Sequence, residues 1–308
     1  MLKITKIMLL ASAGMFVAGG LLTGIATSII RKDPAKYSKV VKKEYICNAD
    51  ITAIDLDLTS QEVRIVKGDV DNVTVEYYED ENEQYTFSED DGNLRVTYYS
   101  APKAHIGFTY VDNHEYDVIV TVPSDMDLKY DCRLESGDIE MESISSGSDM
   151  ELNTSSGDIV LSDVDVKGKL TCEGTSGDIE IKGLGVGGDA ETKTTSGDVK
   201  LDDINVSGNF IASTFSGDVN GNELNCNTMN ASCTSGDINF KDLNTDSVDA
   251  ETTSGSVYLM LEGKKEDYNI TLKVTSGDKN MDDVNNENAS RSVRATTTSG
   301  DIDIFFAE

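Results

Sequence analysis

Eight aspartates occupy one position of a repeated phrase: Asp138, Asp158, Asp178, Asp198, Asp218, Asp237, Asp278 and Asp301 each follow a Ser-Gly pair. Carboxylates at a fixed interval can hold a cation or act as an acid–base pair. If they stack in register at about 4.8 Å, neighbours repel by about 1 kcal/mol even at the dielectric of water. The column therefore needs a screen, whether solvent, amide donors or cations. Calcium takes six to eight oxygen ligands, and Asp138, Asp158, Asp178, Asp198, Asp218 and Asp237 are its candidate ligands here, completed by carbonyls and water from neighbouring turns. A second acidic column, Asp163, Asp203, Asp242 and Asp283, follows six residues after the glycine.

Other reactive groups are sparse. The two histidines, His105 and His114, lie in one segment, and there is no Trp. No His pair has the i, i+4 spacing of a helical zinc site, and no Cys is near enough in sequence to complete a ligand set. Nucleophile elbows and dinucleotide fingerprints are missing, and the run Gly183 to Gly188 reads as a connector because no helix follows it. No catalytic or cofactor-binding residue is assigned, so a non-enzymatic protein is expected. The balance of 56 acidic against 26 basic residues, net −30, repels phosphate backbones, which excludes nucleic acid as a partner.

The elements that position the aspartates follow from the phrase itself. Its glycines are Gly137, Gly157, Gly177, Gly197, Gly217, Gly236, Gly255, Gly277 and Gly300, at intervals of 20, 20, 20, 20, 19, 19, 22 and 23 residues. Such self-similarity marks a stacked repeat, and glycine at a corner supplies the positive φ that a side chain resists. Alignment on the glycines yields apolar columns seven residues before (Tyr130, Met150, Leu170, Ala190, Phe210 and their successors) and two and four after. A further column lies about seven after (Ile144, Val164, Leu184, Ile204, Leu224, Leu243). Alternating apolar positions stacked turn on turn predict an all-β solenoid of about nine roughly 20-residue turns, a rod of about 43 Å. Hydroxyls in the column Thr175, Thr195, Thr234, Thr253, Thr275 and Thr298 could offer a flat face for glycans or ordered water, and also suit β-propensity and cross-turn hydrogen bonding. Ser256 replaces an aspartate and Lys279 falls in an inward column, which predicts looser packing in the last third. The segment Ile302 to Phe306 is expected to close the end.

Before the coil the chain divides into an N-terminal tail (1–6), an apolar run (7–30), a basic juxtamembrane linker (31–44), a β-rich cap (45–122) and the repeats (123–308). Residues 7–30 carry no charge and as a helix would span about 36 Å, enough to cross a bilayer core. The expectation is a single-pass cell-membrane protein with an extracytoplasmic body, although the lysines after the span favour the opposite side by positive-inside counting. A cleaved signal peptide is the rival reading of the run. Gly20 and Gly24 form a small-xxx-small face that would suit a homodimer. Of five cysteines, Cys132 and Cys172 are two turns apart and read as buried hydrophobes, whereas Cys226 and Cys233 share a turn.

The phrases Thr154-Ser-Ser-Gly-Asp-Ile159, Thr175-Ser-Gly-Asp-Ile179, Thr195-Ser-Gly-Asp-Val199 and Thr234-Ser-Gly-Asp-Ile238 resemble those of the bacterial putative-adhesin family of unknown function, including LiaG-like membrane-anchored proteins of envelope-stress operons. The resemblance covers about Tyr45 to Glu308. It implies a right-handed β-helix-like coil and a surface or envelope setting, and it carries over no catalytic residues; the expected partner is an unidentified protein or glycan. The expected function is a non-enzymatic adhesin-like binding or envelope-stress accessory protein. The alternatives are a carbohydrate-active β-helix enzyme and a cytoplasmic-facing scaffold of a membrane signalling complex.

Overall fold

A computed structural model describes residues 41–48, 50–79, 83–100 and 117–307. The apolar run 7–30, with Gly20 and Gly24, and both histidines lie outside them. Among the described residues no helix is long and apolar enough to cross a membrane.

The fold is an all-β solenoid, and the turn at Gly157 shows how its sequence builds it. Met150–Ser156 leads into the glycine corner and Ile159–Val166 leads away. Met150, Leu152, Ile159, Leu161, Val164 and Val166 are all at most 2% exposed. The alternate residues Glu151, Asn153 and Val160 face outward, as a two-residue period requires. A second corner interrupts the second strand: Asp163 has φ 54°, and Ser143, Asp203, Glu223 and Asp242 match it at 50–56°. Asp tolerates this left-handed conformation better than most side chains, so part of the second acidic column is a bend. Asp283 does not belong to it; its carboxylate accepts from the Leu272 amide at the end of the coil.

Turns stack in parallel and in register: Met150 pairs with Tyr130 on one side and Leu170 on the other, and Ile159 with Ile139 and Ile179. Every residue of the column seven before the glycine is buried. Side-chain volumes compensate between turns. Gly221 stands in an inward column, and a Cβ there would meet the Phe240 ring at 2.3 Å. The Gly183 to Gly188 run is no connector, since Gly183, Gly185 and the core-facing Leu184 and Val186 belong to the strand Ile179–Val186.

Both ends are threaded out of sequence order. At the C-terminal end, Arg291–Ser299 inserts between the Ser247 to Ser254 part of strand Ile238–Ser254 and Tyr268–Ser276. The glycine stack therefore runs Gly255, Gly300, Gly277. Ile302–Ala307 pairs with Val257–Glu262, inside the end that it was expected to close. Eight glycine turns have strands on both sides of the corner, while the segment after Gly277 forms no strand and is held by a parallel bridge from Lys279 to Ile302 and an antiparallel bridge from Val284 to Ile270. Lys279 is exposed because, among the described residues, no further turn stacks on it. Packing in the last third is loose only at the outermost turn: Val257, Leu259 and Ile302 are at most 1% exposed, whereas Val274 and Met281 are half-buried.

At the N-terminal end, Ala53–Leu58 lies between Asn93–Ser100 and Lys129–Leu134, and Val63–Gly68 between Val118–Pro123 and Ile139–Glu142. The cap read as 45–122 is thus continuous with the coil. Its first strand, Val41–Ile46, begins inside the segment read as linker. Antiparallel strands close this end: Val41–Ile46 on Thr74–Glu79, and Glu83–Asp90 on Asn93–Ser100. Tyr45 stacks on Phe87 with centroids 4.3 Å apart, and Tyr85 packs on Tyr77 and Tyr98. The aromatic lid and reversed strands replace a bare parallel edge that other chains would otherwise extend.

Candidate functional site

At the glycine corner, backbone conformation and stacking impose the same residue. Gly197 has φ 145°, and a Cβ on it would lie 2.0 Å from the Gly177 carbonyl oxygen. The following aspartates form a ladder. The Asp158 amide donates to Asp138 Oδ1 at 2.8 Å, and Asp178, Asp198, Asp218 and Asp237 each donate to the preceding carboxylate at 2.7–3.0 Å. An N–H therefore separates successive carboxylates, and charge-assisted bonds of this kind are stronger than neutral ones.

The exception and the reordered end extend the ladder. The Ser256 amide donates to Asp237, the Ser256 hydroxyl oxygen accepts from Asp301, and Asp301 accepts from the Asp278 amide. Lys200 adds a lateral cation, 2.7 Å from Asp178 and 3.6 Å from Asp198. Its ammonium, followed by the Asp198 amide, holds the Asp178 carboxyl below the usual carboxylate range. The screen that the column needs is in large part the amide ladder. Among the described residues, no three His, Cys, Asp or Glu side chains converge on a point where they would hold a metal.

A buried threonine column lies three residues before the glycine. The hydroxyls of Thr154, Thr194, Thr214, Thr252 and Thr297 donate to the glycine carbonyl of the neighbouring turn at 2.8–3.1 Å. Its neighbours Thr175, Thr195, Thr253, Thr275 and Thr298 are exposed. All five cysteines are free. Cys132 and Cys172 are fully buried, and burial pushes the Cys172 thiol up to about 12.

Two features were missed in the sequence. Thr59-Ser60-Gln61-Glu62-Val63 takes the place of the phrase one turn before Gly137, whose Cβ would meet the Gln61 carbonyl at 2.2 Å. The Gln61 side chain folds back to accept from the Thr59 and Ser60 amides, and the match of Thr-Ser and Val to the phrase was the available signal. The second feature is on the outer surface. In the strand Asn209–Ser216, Ile211 and Phe215 face outward, 38% and 58% exposed, where the adjacent turns present Glu191, Thr195, Asn230 and Thr234. An apolar residue at an outward position of the alternation was its signal. Next to Ile211 is a groove of about 380 Å³ whose walls include Asn209, Asn230, Glu191 and Thr228.

A family model described as Toastrack DUF4097 matches residues 51–305. Among solved structures, a "putative adhesin" from Bacteroides fragilis aligns at 16% identity and a TM-score of 0.43, covering 88% of this chain and 98% of that one. A "putative lipid binding protein" from Parabacteroides distasonis aligns at 14% and 0.47, over 88% and 98%. A "putative cell adhesion protein" from Clostridium sporogenes aligns at 10% and 0.28, over 87% and 100%. Comparison with curated proteins finds no match.

Proposed function

The chain belongs to the Toastrack DUF4097 family, and from that premise we propose that it is a non-enzymatic binding protein. In this reading the run 7–30 anchors it in the cell membrane as a single pass and the solenoid is the recognition body on the extracytoplasmic side. There it serves attachment or the envelope-stress response in the manner of LiaG-like proteins. The observation that supports it is the use of the repeated polar residues. The aspartate of one turn accepts from the backbone amide of the next, and the buried threonine, where present, donates to the backbone carbonyl of the turn before, so the repeat makes a stiff body and leaves the outward side chains free to vary from turn to turn. Rigid elements with variable outer positions are suited to surface recognition.

Protease treatment of intact cells tests the reading. The body, followed by an antibody against its C-terminal strands, should be digested without permeabilisation. A body protected until the membrane is opened would sink the extracytoplasmic reading and favour a cytoplasmic-facing scaffold.

A further inference from the structure

We propose that the outward face of the strand Asn209–Ser216 is a binding site for a neutral glycan, a proposal that rests on the reading of the chain as a binding protein. Six large apolar side chains are markedly exposed among the described residues; Val41, Ile46, Tyr99 and Phe305 belong to the end regions, whereas Ile211 and Phe215 lie in mid-stack on one strand. The core needs neither of them, because Phe210, Ala212 and Thr214 on the same strand already fill the inward positions. Four residues at a rise of about 3.3 Å place the pair about 13 Å apart along the strand, the length of a short oligosaccharide.

The surroundings select the ligand class. A sugar ring has an apolar C–H face and a rim of hydroxyls. The face of an aromatic ring carries negative charge density and attracts polarised C–H groups, and Phe215 presents such a ring to solvent. Beside Ile211 a groove is edged by Asn209, Asn230, Glu191, Asp189 and Lys169. Lys169 bonds to Glu191, and Asn209 to Asp189 and Thr228, so the rim is a fixed polar network whose remaining oxygens and N–H groups can pair with sugar hydroxyls. A net charge of −30 repels polyanions, which leaves neutral sugars. Peptide addition is blocked because both edges of the strand are already paired, with Ala190–Ser196 and with the second half of Val219–Ser235. A stable protein interface buries about 800 Å² per partner around an apolar core, and two apolar side chains among polar and charged neighbours do not supply one.

The test titrates the purified full chain in detergent with chitohexaose, maltohexaose and mannohexaose, with polygalacturonate as the anionic comparator. A neutral hexasaccharide should bind the wild type and the polyanion should not. Phe215→Ala should weaken binding about tenfold, the equivalent of one lost stacking contact, with Tm unchanged because the side chain is exposed. Phe215→Trp should retain binding, and its Trp, the only one in the chain, should change its emission as sugar is added. Failure of all three hexasaccharides to bind, or equal binding by Phe215→Ala, overturns the proposal. So does a protein partner captured through Phe215 without sugar binding. These outcomes are independent of protease accessibility on cells, so the glycan site and the extracytoplasmic reading can fail separately.

Discussion

The turns at Gly197 and Gly277 carry the same Ser-Gly-Asp phrase, yet only the first is enclosed on both sides. At Gly197 the next turn covers the corner, Val199 and Leu201 are buried, and the buried Thr194 bonds to the turn behind. At Gly277 the corresponding residues are an exposed Lys279, a half-buried Met281 and a half-buried Val274. The phrase specifies the corner, and a neighbour on each side is needed to turn the residues around it into core. This is how a solenoid distributes its stability, between repeats more than within them.

The sharpest way to break this comparison is to place the same methyl group in both corners. A Cβ would lie 2.0 Å from a carbonyl oxygen at Gly197 and again at Gly277, but only the outer turn can move away from the stack. Gly197→Ala should cost about 4 kcal/mol or abolish folding, and Gly277→Ala about half as much, read from urea unfolding midpoints. Equal costs would mean that the outer turn is as constrained as the inner one.

Core truncation should show the same gradient. Leu201→Ala should cost about 3 kcal/mol, since Leu201 is 3% exposed, and Met281→Ala under about 1 kcal/mol. The lateral ion pair should count for less. Asp178 is held below the usual carboxylate range by Lys200 first, so its stabilisation is complete above the unfolded pKa of about 3.9 and is lost as pH falls through the lower folded value. Both partners are partly exposed, so Lys200→Met should cost under about 1 kcal/mol at pH 7, and the difference from wild type should close toward pH 2.

Cations provide the gentlest probe. If the amide ladder screens the aspartates, calcium and sodium chlorides at matched ionic strength should raise Tm equally, to within about 1 °C. A calcium-specific excess would restore Asp138, Asp158, Asp178, Asp198, Asp218 and Asp237 as cation ligands.

The middle of the coil was legible because its signals agree: the spacing of Gly157, Gly177 and Gly197, the alternation at Ile159 and Leu161, and the Thr-Ser lead-in all imply one register. The order of the last turns was not legible. The corners at Gly277 and Gly300 are interchangeable in local sequence, and only the longer intervals of 22 and 23 residues and the misplaced Lys279 hinted that the chain leaves the stack and returns. The aspartate column was read correctly as needing a screen. Its solution was hidden because it depends on backbone amides, which every sequence has. Gln61 escaped notice because its side chain satisfies the turn in a way that glycine cannot.

The exchanged order at the C-terminal end has a consequence for how the chain is made. Synthesis delivers Tyr268–Ser276 before Arg291–Ser299, yet the later strand must lie against the Gly255 turn. The earlier one therefore waits without its permanent neighbour, or pairs provisionally and is displaced. Turn-by-turn growth along the emerging polypeptide, the simplest kinetic route for a repeat protein, must stop at Gly255 until residue 307 is available. A chain that has not yet supplied those strands leaves the Gly255 turn with an open parallel edge on which another strand could pair.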